Sequence, residues 1–209
     1  MKGNVLKAVE IAPQGSVAPE TIRLDIGCGK TTPEGWLGVD VLDFGQGAIA
    51  DLAKAPWKLK AQNGADFPAF SDSEGLWQLM DNSVDEVRSS HFVEHLTGTE
   101  RIPFFNELWR VMKPGATALI VTPNWSHSCA YGDPTHQWPP MSQWYPLYLH
   151  KEWRAANAPH APYTCDFDHV IAGSWDQALE IRNGEYKQFA MNHYTNAWRD
   201  LIVTLTKKP

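Results

Sequence analysis

A chain of 209 residues, 43% hydrophobic and 20% charged, is long enough for one domain with a sizeable core and too balanced to be a disordered tract. Its net charge of -6 and pI near 5.7 oppose a nucleic-acid partner, since no basic run exceeds Lys207-Lys208. Cys28, Cys129 and Cys165 form no C-x-x-C pair, no stretch approaches the ~20 apolar residues of a membrane span, and no secretory apolar core opens the chain, so a cytoplasmic protein with neither a disulfide framework nor a membrane partner is expected.

Residues 1–20 read as an irregular arm. The apolar run 22–26, stopped by Gly27-Cys28-Gly29, predicts a buried strand entering a glycine turn. A second strand is predicted over 36–41, and the connection between the two is short for a parallel crossover. Residues 49–52 predict a very short third strand. Residues 53–83 contain Pro56, Gly64, Pro68, Gly75 and Asp81-Asn82-Ser83 and read as mostly loop. A fourth strand follows over 84–90. From Glu100 to Met112, the spacing of Ile102, Phe105, Leu108, Trp109 and Met112 predicts one apolar helix face, ended by Pro114-Gly115. The unbroken apolar run 116–122 predicts a central strand.

The stretch 123–164 differs in kind. It holds seven prolines, many aromatics and the histidines 127, 136, 150 and 160, and reads as an insertion folding over the sheet edge, with a helix from Ser142 to about Asn157. Most of the ten tryptophans fit core positions, whereas Trp125, Trp138 and Trp144 could line a pocket. A strand near 167–172, helical spacing over 175–193 and a β-branched strand over 200–206 complete the chain. The alternation predicts one domain over 1–209: an α/β, Rossmann-like three-layer sandwich, its sheet mostly parallel with an antiparallel edge strand.

The chemistry starts at Asp25-Ile26-Gly27-Cys28-Gly29. A lone G-x-G is often a tight turn, but Asp40 closes the next strand, where an acid can accept hydrogen bonds from ribose hydroxyls. Thr32 stands where a dinucleotide loop needs its third glycine, and Pro33 opposes a long helix there. The pattern favours an adenosyl group without a pyrophosphate over NAD.

These residues, together with Gly38-Val39-Asp40-Val41, Asp51-Leu52, Asn82-Ser83-Val84-Asp85-Glu86-Val87, Ser89-Ser90-His91-Phe92-Val93-Glu94-His95-Leu96, Glu107–Gly115 and Val121-Thr122-Pro123-Asn124, resemble the seven-strand, S-adenosylmethionine-dependent methyltransferases, in particular a small bacterial and phage branch with a shortened first crossover. The resemblance spans roughly residues 21–124. It implies S-adenosylmethionine as cofactor. Gly27, Cys28 and Gly29 would pass beneath its methionine part, Asp25 would orient its amino group, and Asp40 with Val41 would hold the ribose side. Asp51 and Leu52 would meet the adenine, and Ser90 and His91 would face the sulfonium. Thr31, where many relatives carry a third glycine, departs from the pattern.

The candidate catalytic residues are His136, Asp133 and His91, because a histidine or carboxylate near the transfer point can take a proton from an attacking oxygen or nitrogen. His91 and His95 are four apart, yet the acid precedes the second histidine instead of following the first, so the segment reads as packing and no metal centre is expected. Cys165 and His169 also lack a second tight pair. The reaction implied is methylation of a small-molecule, sugar-like or peptide acceptor by a monomer or homodimer. The rival is a catalytically inactive module that binds the same cofactor. A DNA amino-methyltransferase would carry an acid or amide followed by Pro-Pro-aromatic where Ser89-Ser90-His91-Phe92 stands.

Overall fold

The computed structural model describes residues 21–62, 69–71 and 75–209; the arm expected over 1–20 lies outside the described residues. The apolar runs form the centre of a single large sheet. Its members are β1 (Arg23–Ile26), β2 (Leu37–Asp40), β3 (Gly47–Ile49), β4 (Lys60–Ala61), β7 (Val84–Ser90), β8 (Met112–Pro123), β9 (Phe167–Trp175) and β10 (Trp198–Lys207), while β5 (Ala69–Ser71) and β6 (Trp77–Leu79) form a separate hairpin. The order across the eight-stranded sheet is β4-β3-β2-β1-β7-β8-β10-β9. β1 pairs in parallel with β2 and β7, β2 with β3, and β7 with β8. Both edge strands, β4 and β9, are antiparallel to their neighbours, and β10 is antiparallel to both β8 and β9 from a position inside the sheet. This is the α/β, Rossmann-like architecture expected from the alternation of runs.

Strand β1 is central, and both faces of the sheet are covered there. Leu24 is 0% exposed and Ile26 1% on one face, and Asp25 is 2% exposed on the other. The first two crossovers, from β1 to β2 and from β2 to β3, are turns and bends without a helix. Residues 53–83 are less of a loop than their prolines and glycines predict. Trp57, Leu59 and Leu79 are buried, and Leu59 and Trp77 exchange backbone N–H···O bonds of 2.7 Å each. Strands of two or three residues are too short to leave a period in the sequence; parts of this stretch, residues 63–68 and 72–74, lie outside the described residues.

Helix α1 (Arg101–Val111) follows a capping box: Thr97 N–H donates to Glu100 Oε2 at 2.8 Å and Glu100 N–H to Thr97 Oγ1 at 3.3 Å. Its buried stripe is Phe104, Phe105, Leu108 and Val111, turned from the expected face so that Ile102 and Trp109 are only half-buried. Trp109 uses its amphipathic ring at that margin: the indole N–H donates to Asp166 O at 3.0 Å and Lys207 Nζ lies 4.3 Å from the ring centroid.

The insertion contains α2 (Cys129–Gly132), α3 (Tyr145–Leu149) and α4 (Lys151–Asn157). The single helix expected over 142–157 breaks at His150, which is extended and turns its Nδ1 back to accept from Trp153 N–H at 3.2 Å. The chain thus restarts a helix with a side-chain cap instead of continuing one. The insertion packs on α1 through Tyr145 and Tyr163, whose rings lie 5.8 and 6.4 Å from Phe105, and reaches the edge strand β9 through the His150–Asp168 pair at 3.4 Å. A buried arginine fastens it: Arg101 Nε donates to Val93 O at 3.2 Å, while its terminal nitrogens donate to Pro139 O and Gln137 O. After β9, α5 (Gln177–Glu180) and α6 (Gly184–His193) replace the one helical stretch read over 175–193, because Asn183 caps a new start by accepting from Tyr186 N–H at 2.8 Å.

Candidate functional site

Register assembles the site. Ile26 sits beside Val39 on one side and beside Ser89 on the other, so Gly27, Asp40 and Ser90 leave the sheet together. They do so at the carboxyl ends of parallel strands, where the chain order changes direction across β1, and ligands of open α/β sheets occupy that crevice. Asp40 pairs with Ile49 of β3, which brings Asp51 and Leu52 to the same rim.

The glycine loop is shaped by what surrounds it. Gly27 has φ +66 and a Cβ there would fall 2.5 Å from Phe92, whose ring covers it. Gly29 has φ +57 and faces open space, with nothing within 4 Å of where its Cβ would be. Both positions require the left-handed conformation that glycine adopts cheaply. The Gly29 N–H donates to Asp40 Oδ2 at 2.9 Å, and the other oxygen, Oδ1, accepts from Leu42 N–H at 3.1 Å. The predicted loop and the predicted acid are therefore bonded to each other. A carboxylate oxygen has two lone-pair sites, so each oxygen of Asp40 retains one. Cys28 turns its thiol inward toward the space above Gly38, and burial pushes that thiol up from its ordinary pKa.

Asp25 lies beneath the loop and is 2% exposed. Its Oδ1 pairs with Arg88 Nε at 3.0 Å, while Oδ2 is buried without a partner. Burial raises its carboxyl pKa and the Arg88 guanidinium opposes the rise. Arg88 stands directly opposite Asp25 in the β1–β7 register, a cross-strand pair the sequence reading missed. Only pairing information could have found it.

The rim beyond Asp40 is apolar. Val41 is 57% exposed and Leu42 60%. Asp51 lies farther along, with Oδ1 accepting from Ala53 N–H at 3.1 Å and Oδ2 paired with Lys54 Nζ at 2.8 Å. Leu52 is 2% exposed; its side chain belongs to the core, and its carbonyl accepts the Trp57 indole N–H at 3.1 Å.

On the other side of β1, Ser90 ends β7 and His91 turns sharply, with φ +55 and its N–H bonded to Val121 O at 2.9 Å. The His91 Nδ1 meets Glu94 Oε1 at 3.2 Å, a bond that raises the imidazole pKa against the effect of burial. His136 and Asp133 do not reach the glycine loop. They lie on the insertion beside His95, with the His95 and His136 rings 4.8 Å apart. Asp133 Oδ1 is occupied by Thr135, whose Oγ1 donates at 2.6 Å and whose N–H donates at 2.8 Å. Those bonds hold the Asp133 carboxyl below its ordinary pKa and leave it a poor base. Asp133, His136, Tyr131 and Trp138 line a cavity of about 220 Å³, and a second cavity of about 380 Å³ is walled by Phe105, Trp144, Tyr145, Tyr148 and Tyr163. Of the tryptophans expected to line a pocket, Trp138 and Trp144 do so, one in each cavity.

Residues 24–120 match the family described as a methyltransferase domain. A solved S-adenosylmethionine-dependent methyltransferase from Archaeoglobus fulgidus superposes with a TM-score of 0.51 at 20% identity, covering 90% of this chain and 87% of that one. Geranyl diphosphate methyltransferase in complex with S-adenosylmethionine gives a TM-score of 0.50 at 12% identity over 92% of this chain and 80% of the other. No curated protein matches the chain significantly.

The fold is the α/β one of those solved methyltransferases, and residues 24–120, a little under half of the chain, match the methyltransferase-domain family. S-adenosylmethionine is the cofactor that the sequence resemblance implies, and it is named for both of those solved structures. The residues at the crevice fit that cofactor, since they supply an unpartnered buried carboxylate oxygen at Asp25 and an open face at Gly29. Among the described residues, no helix is long and apolar enough to cross a membrane.

Proposed function

We propose that the chain is one cytoplasmic domain, with 123–164 as a lid on the acceptor side, which methylates a small-molecule, sugar-like or peptide acceptor. The observation that carries this reading is the Gly29–Asp40 bond, which joins a glycine loop to a carboxylate directly above the unpartnered Asp25 oxygen. S-adenosylmethionine supplies an activated sulfonium methyl, so the protein's task is to position, align and exclude water. Asp25 Oδ2 accepts from the cofactor's amino group, and Gly27, Cys28 and Gly29 let the backbone approach its methionine part. The remaining lone pairs of Asp40 take the ribose hydroxyls. Val41 offers an apolar face to the adenine, Asp51 an acceptor for its exocyclic amine, and Leu52 its backbone. Ser90 and His91 border the sulfonium.

An acceptor oxygen or nitrogen sheds a proton on methylation, and the imidazoles of His91 and His136 are the candidate bases. Asp133 orients Thr135 and so acts as a positioning residue. The aromatic walls of the lid cavities favour a small organic acceptor, the type of substrate named for geranyl diphosphate methyltransferase. The surplus of acids, with net charge -6, supports the exclusion of nucleic acid, and free thiols at Cys28, Cys129 and Cys165 support a reducing compartment.

Calorimetry with S-adenosylmethionine, S-adenosylhomocysteine and NAD tests the reading. The wild type should bind the first two and not NAD. Asp40→Ala removes a charged acceptor from two ribose hydroxyls at ~1.5–3 kcal/mol each, so affinity should fall by about 10²- to 10⁴-fold. Near-wild-type affinity in that variant refutes the assignment.

A further inference from the structure

Glu94, His95 and His136 place one ligand atom each within 4.8 Å of one another, and their surroundings prepare them as a set. Glu94 is 4% exposed; its Oε1 meets His91, and its Oε2 is buried without a partner, a costly state for a carboxylate unless a cation or donor joins it. Both rings are fixed through Nδ1. Thr135 Oγ1 donates its proton to Asp133, so at 3.0 Å from His95 it must accept from His95 Nδ1–H. The Ala130 carbonyl, 3.3 Å from His136 Nδ1, can only accept as well. Each imidazole therefore carries its proton on Nδ1 and turns a bare lone pair outward at Nε2. A ring held by a carbonyl or hydroxyl–carboxylate chain on one nitrogen, with the other free, is the arrangement found behind metal-ligating histidines.

We propose that Glu94, His95 and His136 bind a divalent transition-metal cation, Zn²⁺ being the ion best matched to two imidazoles and one carboxylate. Donors held at ~2.0–2.1 Å by one tetrahedral ion stand about 3.4 Å apart, so the trio needs to close by no more than about 1.4 Å. The site joins segments 40 residues apart in sequence, the turn after β7 and the lid, which the Gln137 N–H also ties to Glu94 O at 2.8 Å. Three protein ligands leave a fourth position, and one of the three, His136, also lines the 220 Å³ cavity beside Tyr131 and Trp138. Water or an oxygen of a bound molecule fills that position. That the oxygen belongs to the methyl acceptor rests on the proposed function; cation binding itself does not. With the cation bound, His136 is a ligand and His91 remains the only imidazole of the pair free to take a proton.

The test is Zn²⁺ titration of the full chain after chelator treatment, read by calorimetry and by metal content after dialysis, with Co²⁺ absorbance to report ligand geometry. One ion per chain is expected, weakened about 100-fold or more in His95→Ala and in His136→Ala, and about 10- to 100-fold in Asp133→Asn, which removes only the outer support. His136 is half-buried on the lid, so its variant keeps the test decisive even where Glu94→Gln disturbs folding. Substoichiometric binding, or binding indifferent to both histidine variants as expected for ions on Cys28 or Cys129, overturns the proposal. Titrating S-adenosylmethionine into the same variants separates the two failures: a cofactor that still binds leaves the methyl-transfer reading standing, and a cofactor that never binds refutes that reading whatever the zinc does.

Discussion

Two glycines two residues apart should fail in opposite ways when given a methyl group. Alanine at either position is forced to a φ near +60, at a cost of ~1–2 kcal/mol. At position 27 the new Cβ also falls 2.5 Å from the Cβ and ring of Phe92, an overpacking of the kind that adds ~1–3 kcal/mol. Gly27→Ala should therefore lose about 2–5 kcal/mol of stability and Gly29→Ala only about 1–2. Position 29 instead projects its methyl into open space on the face assigned to the cofactor, so Gly29→Ala should weaken S-adenosylmethionine by about tenfold or more, ~1.4 kcal/mol. Urea denaturation of the cofactor-free protein reads the first effect and calorimetry the second. A Phe92→Gly background, which removes the Cβ as well as the ring, isolates the clash: there, Gly27→Ala should cost no more than Gly29→Ala does. Equal costs for the two glycines in the presence of Phe92, or no relief in its absence, would refute the reasoning.

Arg101→Met strips the carbonyls of Val93, Gln137 and Pro139 of a shared donor that is itself buried. Unfolding by urea should show a loss of about 3 kcal/mol or more, and a loss under 1 kcal/mol would mean that the arginine does not fasten the 123–164 stretch. Asp85 accepts from Lys113 Nζ at 2.6 Å and from Ile22 N–H at 2.8 Å. Burial works to raise its carboxyl pKa, but those donors outweigh it and the group sits below its ordinary value. A depressed carboxyl contributes stability above the unfolded pKa of ~3.9 and loses it as pH falls through the folded value. The stability gap between wild type and Asp85→Asn should therefore be full at neutral pH and shrink in acid, and a gap of constant size would contradict the assignment.

The parts of the fold legible from sequence were those whose cause is local. Ile22, Leu24 and Ile26, Val84 and Val87, and Ala116, Ala118 and Ile120 mark their strands because each set is buried, and the apolar spacing of Phe105 and Leu108 marks α1. β4 and β6 left no trace, being two and three residues long. The helix break at His150 was hidden because a histidine seldom marks a cap, and this one does so only by folding its ring back on Trp153. At the site, the Gly29–Asp40 contact followed from strand order alone. Arg88 beside Asp25 needed the register, and the convergence of Glu94 and His95 on His136 needed a lid conformation that no spacing rule encodes. The same tertiary detail shows that Asp133, a plausible base on paper, spends its charge on Thr135.

The missing helix between β1 and β2 has an electrostatic consequence. Where a helix starts just after a glycine turn, its exposed amides present about half a positive charge to whatever occupies the crevice. Here the turn runs through Lys30, Thr31, Thr32 and Pro33 without forming one, and the formal charges beside it are the carboxylates of Asp25 and Asp40, the Arg88 guanidinium paired with Asp25, and Lys30 itself. A diphosphate would consequently find no row of free helix amides to bind there. Discrimination against dinucleotides is thus written into a connection that makes its turn without a helix.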